Sequence, residues 1–78
     1  MAHRTLGCLA PGEKARVAGL LTHGVARRRL LDLGLVPGTV VRALRRSPLG
    51  DPTAYEVRGT VLALRREDAD RVLVESDP

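Results

Sequence analysis

Aromatic side chains are almost absent from this 78-residue chain: Tyr55 stands alone, with no phenylalanine or tryptophan. Leu, Val and Ala must then fill the core, and a small β barrel suits them. The same poverty counts against two kinds of receptor. Single-strand nucleic-acid readers stack bases on aromatic platforms, and proline-peptide receptors line their grooves with rings. Cysteine is scarce too: Cys8 is the only one, which excludes an internal disulfide and fits a reducing compartment. No apolar run approaches the roughly 20 residues that cross a bilayer, and the N-terminus lacks the charged-then-apolar design of a signal peptide. A cytoplasmic protein without membrane insertion is expected. Catalytic arrangements are missing as well: no Ser-His-Asp or Cys-His constellation, no phosphate loop, no pair of acids framed by apolar residues. The chain is expected not to be an enzyme and to need no cofactor.

What the chain has in quantity is arginine. Thirteen Lys and Arg oppose nine Asp and Glu, for a net charge of +4 and a pI near 10.6. Every basic residue but Lys14 is an arginine. The charge is uneven: residues 1–66 hold twelve of the bases against four acids, and residues 67–78 hold one arginine against five acids. A basic body favours acidic partners, whether a protein face, a nucleic acid or an anionic membrane surface.

Periodicity places the elements. Lys14 to Leu21 alternates Ala15, Val17, Gly19 and Leu21 with Lys14, Arg16 and Ala18, the pattern of a strand with one polar face. Thr22-His23-Gly24 ends it and starts a short helix over 25–33, with Thr22 or Gly24 near the N-cap and Ala26, Leu30 and Leu33 on the core face. Gly34 is placed to take the left-handed C′ position. Val36-Pro37-Gly38-Thr39 reads as a type II turn. Thr39 to Arg46 alternates Val41, Ala43 and Arg45 with Val40, Arg42 and Leu44 as a second strand. Residues 54–58 and 60–64 are strands joined through Gly59 as a tight hairpin or a bulge. Residues 66–70 make about one helical turn with acids at its favourable end, and 72–74 close as a last strand.

Three stretches of defined punctuation recur in order. They are Arg27-Arg28-Arg29-Leu30-Leu31-Asp32-Leu33-Gly34-Leu35-Val36-Pro37-Gly38-Thr39, then Pro48-Leu49-Gly50-Asp51-Pro52, then Gly59-Thr60-Val61-Leu62-Ala63-Leu64-Arg65-Arg66. In sequence and spacing the chain resembles the FeoA family, from about Leu6 to Val74. Those are small cytoplasmic proteins that accompany the bacterial ferrous-iron transporter FeoB. The resemblance implies a mainly β fold, an SH3-like barrel of about five strands, with one short helix between the first two strands and a helical turn before the last. It implies one domain over residues 1–78, with a core from about 6 to 74 and loose termini at 1–5 and 75–78. It further implies a non-enzymatic accessory role, docking to the cytoplasmic part of an FeoB-type GTPase transporter at the inner face of the membrane.

The residues offer handles for such docking. Arg27, Arg28 and Arg29 fall in the first turn of the expected helix and Asp32 in its last, both opposed to the macrodipole, so stability does not explain them. Either they form a solvated face, or they make an anion-seeking surface for an acidic protein partner. Asp51 sits on a stiff loop that either connects two strands or preorganises a contact. Gly34, Pro37, Gly38 and Gly59 are read as turn and cap residues. For metal, only His3 and Cys8 are weak candidates for divalent binding, since no Cys-x-x-Cys or His-x-x-x-His spacing exists; Cys8 otherwise reads as a small buried filler. A basic nucleic-acid-binding SH3-like module ranks second as a function, and the exposed edges of so small a barrel leave room for a homo-oligomer.

Overall fold

The alternating segments pair into one antiparallel sheet. The computed structural model describes residues 4–77, and its elements run β1 (Arg4–Thr5), a 3-10 turn (Leu6–Cys8), β2 (Lys14–Leu20), α1 (Gly24–Asp32), β3 (Val40–Arg46), β4 (Thr53–Val57), β5 (Thr60–Leu64), α2 (Arg66–Ala69) and β6 (Val72–Ser76). The sheet order is β1-β6-β2-β3-β4-β5. β6, last in the chain, thus lies between β1 and β2.

Two of these pairings lie in segments expected to be loose. Arg4 and Thr5 pair with Val74 and Leu73, and β6 continues through Ser76 opposite Ala15. Among the described residues the sheet therefore has six strands. Arg4 and Thr5 show no alternation in sequence that signals a strand, and they pair because β6 offers them an edge. Residues 1–3 and 78 lie outside the described residues.

The core is aliphatic. Leu6, Leu9, Ala15, Val17, Leu30, Leu35, Val41, Ala43, Val57, Leu64, Ala69, Val72 and Val74 surround the buried Tyr55 in one cluster. Burial pushes the Tyr55 phenol above its usual pKa, and its hydroxyl donates to the Leu6 carbonyl at 3.4 Å. Strict alternation fails at two bulges. Val17 pairs with Val74 but Gly19 with Leu73, leaving Ala18 as the extra residue. The next inward side chain is therefore Leu20, packed against the core, while Leu21 is exposed. On β3, Ala43 pairs with Tyr55 but Arg45 with Ala54, so Leu44 is the extra residue. Arg45, in phase with Val41 and Ala43 by sequence, is thereby turned to the outer face.

Helix α1 begins one residue earlier than its periodicity suggests. Its N-cap is His23, without a side-chain capping bond, and its end lies at Asp32. Of the expected face, Leu30 is buried, Ala26 is half-buried, and Leu33 is 39 % exposed. The chain turns at Gly34, with φ of 99°. The Gly34 N–H reaches the Leu31 carbonyl at 2.9 Å and the Leu35 N–H the Leu30 carbonyl at 3.1 Å, the paired bonds of a Schellman cap. That geometry delivers Leu35 to the core in place of Leu33. The Thr39 N–H then closes the turn on the Val36 carbonyl at 3.1 Å, with Gly38 at φ of 94°, the arrangement of a type II turn after Pro37. Gly59, at φ of 81°, and Arg58, at φ of 52°, form the two-residue link between β4 and β5.

Candidate docking surfaces

Helix α1 presents its arginines unequally. Arg27 and Arg28 are exposed, and neither has a hydrogen-bond or ion-pair partner among the described residues. Arg29 reaches Asp68 of α2 at 3.0 Å. Because α1 has only nine residues and starts at Gly24, Arg29 lies in its last turn, where the macrodipole favours a cation. The expectation that all three arginines sit in the first turn is corrected by that earlier start. Beside Arg28, Gly24 and Val25 line an open hollow of about 460 Å³, and Val25 is 87 % exposed. Arginine is enriched among the residues that anchor protein interfaces.

Asp51 is committed inside the fold. One carboxylate oxygen accepts from the Arg66 backbone N–H at 2.9 Å, at the start of α2, where the helix dipole favours an anion. The other lies 4.0 Å from the Arg65 guanidinium. The loop around Asp51 is closed by the Ser47 N–H to the Pro52 carbonyl at 3.0 Å and the Gly50 N–H to the Ser47 carbonyl at 2.8 Å.

A second surface, which periodicity missed, lies next to that loop. Arg45, Arg46, Ser47, Pro48, Pro52, Ala54 and Ala63 line a groove of about 560 Å³. The β3 bulge places Arg45 there, opposite Ala54, which in turn faces Ala63. Facing alanines in neighbouring strands could have hinted at a low floor, but no sequence signal marks the bulge. The Ser47 hydroxyl on this lining is buried and makes no hydrogen bond.

For metal, His3 lies outside the described residues. Cys8 is exposed, with its Sγ 3.5 Å from the Thr5 hydroxyl; the 3-10 turn sends Leu6 and Leu9 inward and leaves Cys8 outside. Among the described residues no three His, Cys, Asp or Glu side chains converge. At the N-terminal end, Arg4 pairs with Glu13 at 2.5 Å. The hydrogen bond from Arg4, followed by one from the Ala10 N–H at 3.0 Å, holds the Glu13 carboxyl below its usual pKa.

A six-stranded antiparallel sheet wrapped on an aliphatic core defines a small SH3-like domain among the described residues. A model of the FeoA domain matches residues 4–76, and the chain belongs to the FeoA family. It is 36 % identical over 67 residues to an Fe(2+) transport protein A/Fe(2+) transporter FeoB fusion protein of Porphyromonas gingivalis, a match covering 86 % of this chain and 8 % of that protein. The fold matches a FeoA-like protein of Clostridium acetobutylicum with a TM-score of 0.90 at 33 % identity, over 97 % of this chain and 88 % of that one. It also matches FeoA of Stenotrophomonas maltophilia complexed with zinc, described as a procaryotic SH3 domain protein, with a TM-score of 0.81 at 35 % identity, over 91 % of this chain and 88 % of that one.

Proposed function

We propose that this chain is a non-enzymatic accessory protein of bacterial ferrous-iron uptake that docks on the cytoplasmic part of an FeoB-type GTPase transporter. The observation that carries this reading is the relative in which a segment 36 % identical to this chain shares one polypeptide with an FeoB transporter. A covalent link holds two modules at high effective concentration, which matters where the two touch. The description of the zinc-complexed relative raises the role of a ferrous iron transport activating factor, in keeping with an accessory task.

The start of α1 is the docking surface we assign. Arg27 and Arg28 lack internal partners among the described residues, and Val25 and Leu21 are exposed nearby in the chain. An acidic face on the transporter complements them, and such a contact weakens with salt. Asp51 then serves by holding its loop against α2. No helix among the described residues is long and apolar enough to cross a membrane; in this reading the transporter supplies the membrane, and the chain works at its inner face. The nucleic-acid reading has less support, because Tyr55, the one Phe, Tyr or Trp ring of the chain, is buried and so withheld from base stacking.

The test passes detergent-solubilised membranes from iron-poor cells over the immobilised protein. A polytopic GTPase of the FeoB type should be retained, and Arg28→Glu should weaken retention by about tenfold while leaving the thermal transition in place. Retention unchanged by Arg28→Glu would move docking away from α1. Recovery of nuclease-sensitive material alone would put the nucleic-acid module first.

A further inference from the structure

Folded proteins blunt their sheet edges with charge, proline, bulges, short strands or a covering element, because an open edge invites another strand. Among the described residues the sheet ends on β1 at one side and on β5 at the other. The described part of β1 is Arg4 and Thr5, and Arg4 is charged. β5 is Thr60-Val61-Leu62-Ala63-Leu64, with neither charge nor proline, and it pairs with β4 in unbroken register. Val57 and Thr60 flank the two-residue turn and so form the first hydrogen-bonded pair. Antiparallel alternation then turns the N–H and C=O of Val61 and Ala63 away from β4. Both residues are exposed, and no turn or loop backbone bond reaches them among the described residues.

The surroundings of this edge select its occupant. Arg45, Ala54 and Ala63 stand in one row across β3, β4 and β5, and directly opposed residues share a face. The next residue in the row, on an added strand, would stand over the groove of Arg45, Arg46, Pro48 and Pro52. Strands lie about 4.8 Å apart, so its backbone would be about 14 Å from that of Arg45. An arginine and an acidic side chain close that gap by reaching toward each other over the two alanines. The ends of β5 are basic as well, with Arg58 before it and Arg65 and Arg66 after it.

We propose that the β5 edge and its groove accept an extended, acidic peptide segment of a partner protein as a seventh strand. Main-chain bonds at Val61 and Ala63 hold the segment, and Arg45 selects an acid opposite Ala63. The site uses residues other than those at the start of α1, and it stands whether or not a transporter docks there. A second copy fits worse. Antiparallel pairing centred on Leu62 would set Arg58 opposite Arg66 of the second copy, twice over, and directly opposed like charges are destabilising.

The test titrates ¹⁵N-labelled protein with a synthetic peptide that alternates valine and glutamate. The expected result is saturable binding, slowed exchange at the Val61 and Ala63 amides, and an affinity loss of about tenfold in Arg45→Glu. Ala63→Pro removes an outward N–H that β4 does not use, and it should abolish the protection at Val61 while the thermal transition stays in place. Arg45→Glu, an exposed surface change, decides the matter if the proline variant does not fold. Equal affinity for the lysine-for-glutamate peptide overturns the proposal, as does a lack of saturation at millimolar peptide. It is also overturned if short single-stranded DNA shifts the same amides more strongly, or if the free protein sediments as a dimer with β5 already protected.

Discussion

The two ends of the sheet treat open backbone in opposite ways. At one end the described part of β1 carries Arg4, paired with Glu13. At the other, β5 runs for five uncharged residues beside a groove. Charge is a usual means of discouraging stray pairing, and of the two described edge strands only β1 carries it. The contrast teaches where this small domain stays available to a partner: one described edge carries a charged pair, and the other is uncharged along the hairpin.

Both ends depend on the barrel between them, and the largest expected effect comes from removing that support. Leu30 is 1 % exposed beneath α1. Leu30→Asp places a charge in an apolar core, a change on the order of 4–5 kcal/mol, comparable with the whole stability of a small domain. Urea titration at neutral pH should show no folded baseline, and the two edges should lose their distinction. The matched change Leu33→Asp lies on a half-exposed residue and should leave a cooperative transition. If the two variants behave alike, Leu30 is not the residue that pins α1.

A smaller effect should separate the ends. At Gly34 a side chain would be held at φ of 99°, and its Cβ would approach Val57 Cγ1 of β4 at 3.3 Å. Gly34→Ala should cost about 1–3 kcal/mol through backbone strain, with exchange at β4 and β5 accelerating more than at β1. Uniform acceleration would show that the strain is spread over the whole barrel and not directed at the hairpin.

Much of this frame was legible before any coordinates, because glycine and proline announce themselves. Gly34, Pro37, Gly38 and Gly59 marked a helix stop, a type II turn and a hairpin that the backbone dihedrals show. The FeoA resemblance carried the barrel. The missed features share a cause: they are set by pairing between distant segments. Bulges at Ala18 and Leu44 arise in the registers with β6 and β4, and neither residue is one that announces a bulge. Those two bulges send Leu20 inward and Arg45 outward, against the period-two reading. β1 is a strand only because β6 is there to receive it. Asp51 illustrates the same limit for sites, since its bond to the Arg66 N–H depends on two segments fifteen residues apart meeting in space.

The smallest effect is expected at the charged end. Glu13 is held below its usual pKa, first by the hydrogen bond from Arg4 and then by that from the Ala10 N–H. A carboxyl lowered in the folded state contributes stability above its unfolded pKa, about 4.3. That contribution is lost as pH falls through the lower, folded value. The pair is part-exposed and screened by solvent, so its effect is small. Glu13→Gln should lower the thermal midpoint slightly at neutral pH, and wild type and variant should converge in acid well below pH 4. Exchange at the Thr5 amide should follow the same course, whereas the β5 amides should not respond. A difference that persists unchanged in strong acid would mean that Glu13 acts through packing and not through its charge, and charge would then not be what distinguishes the β1 edge from β5.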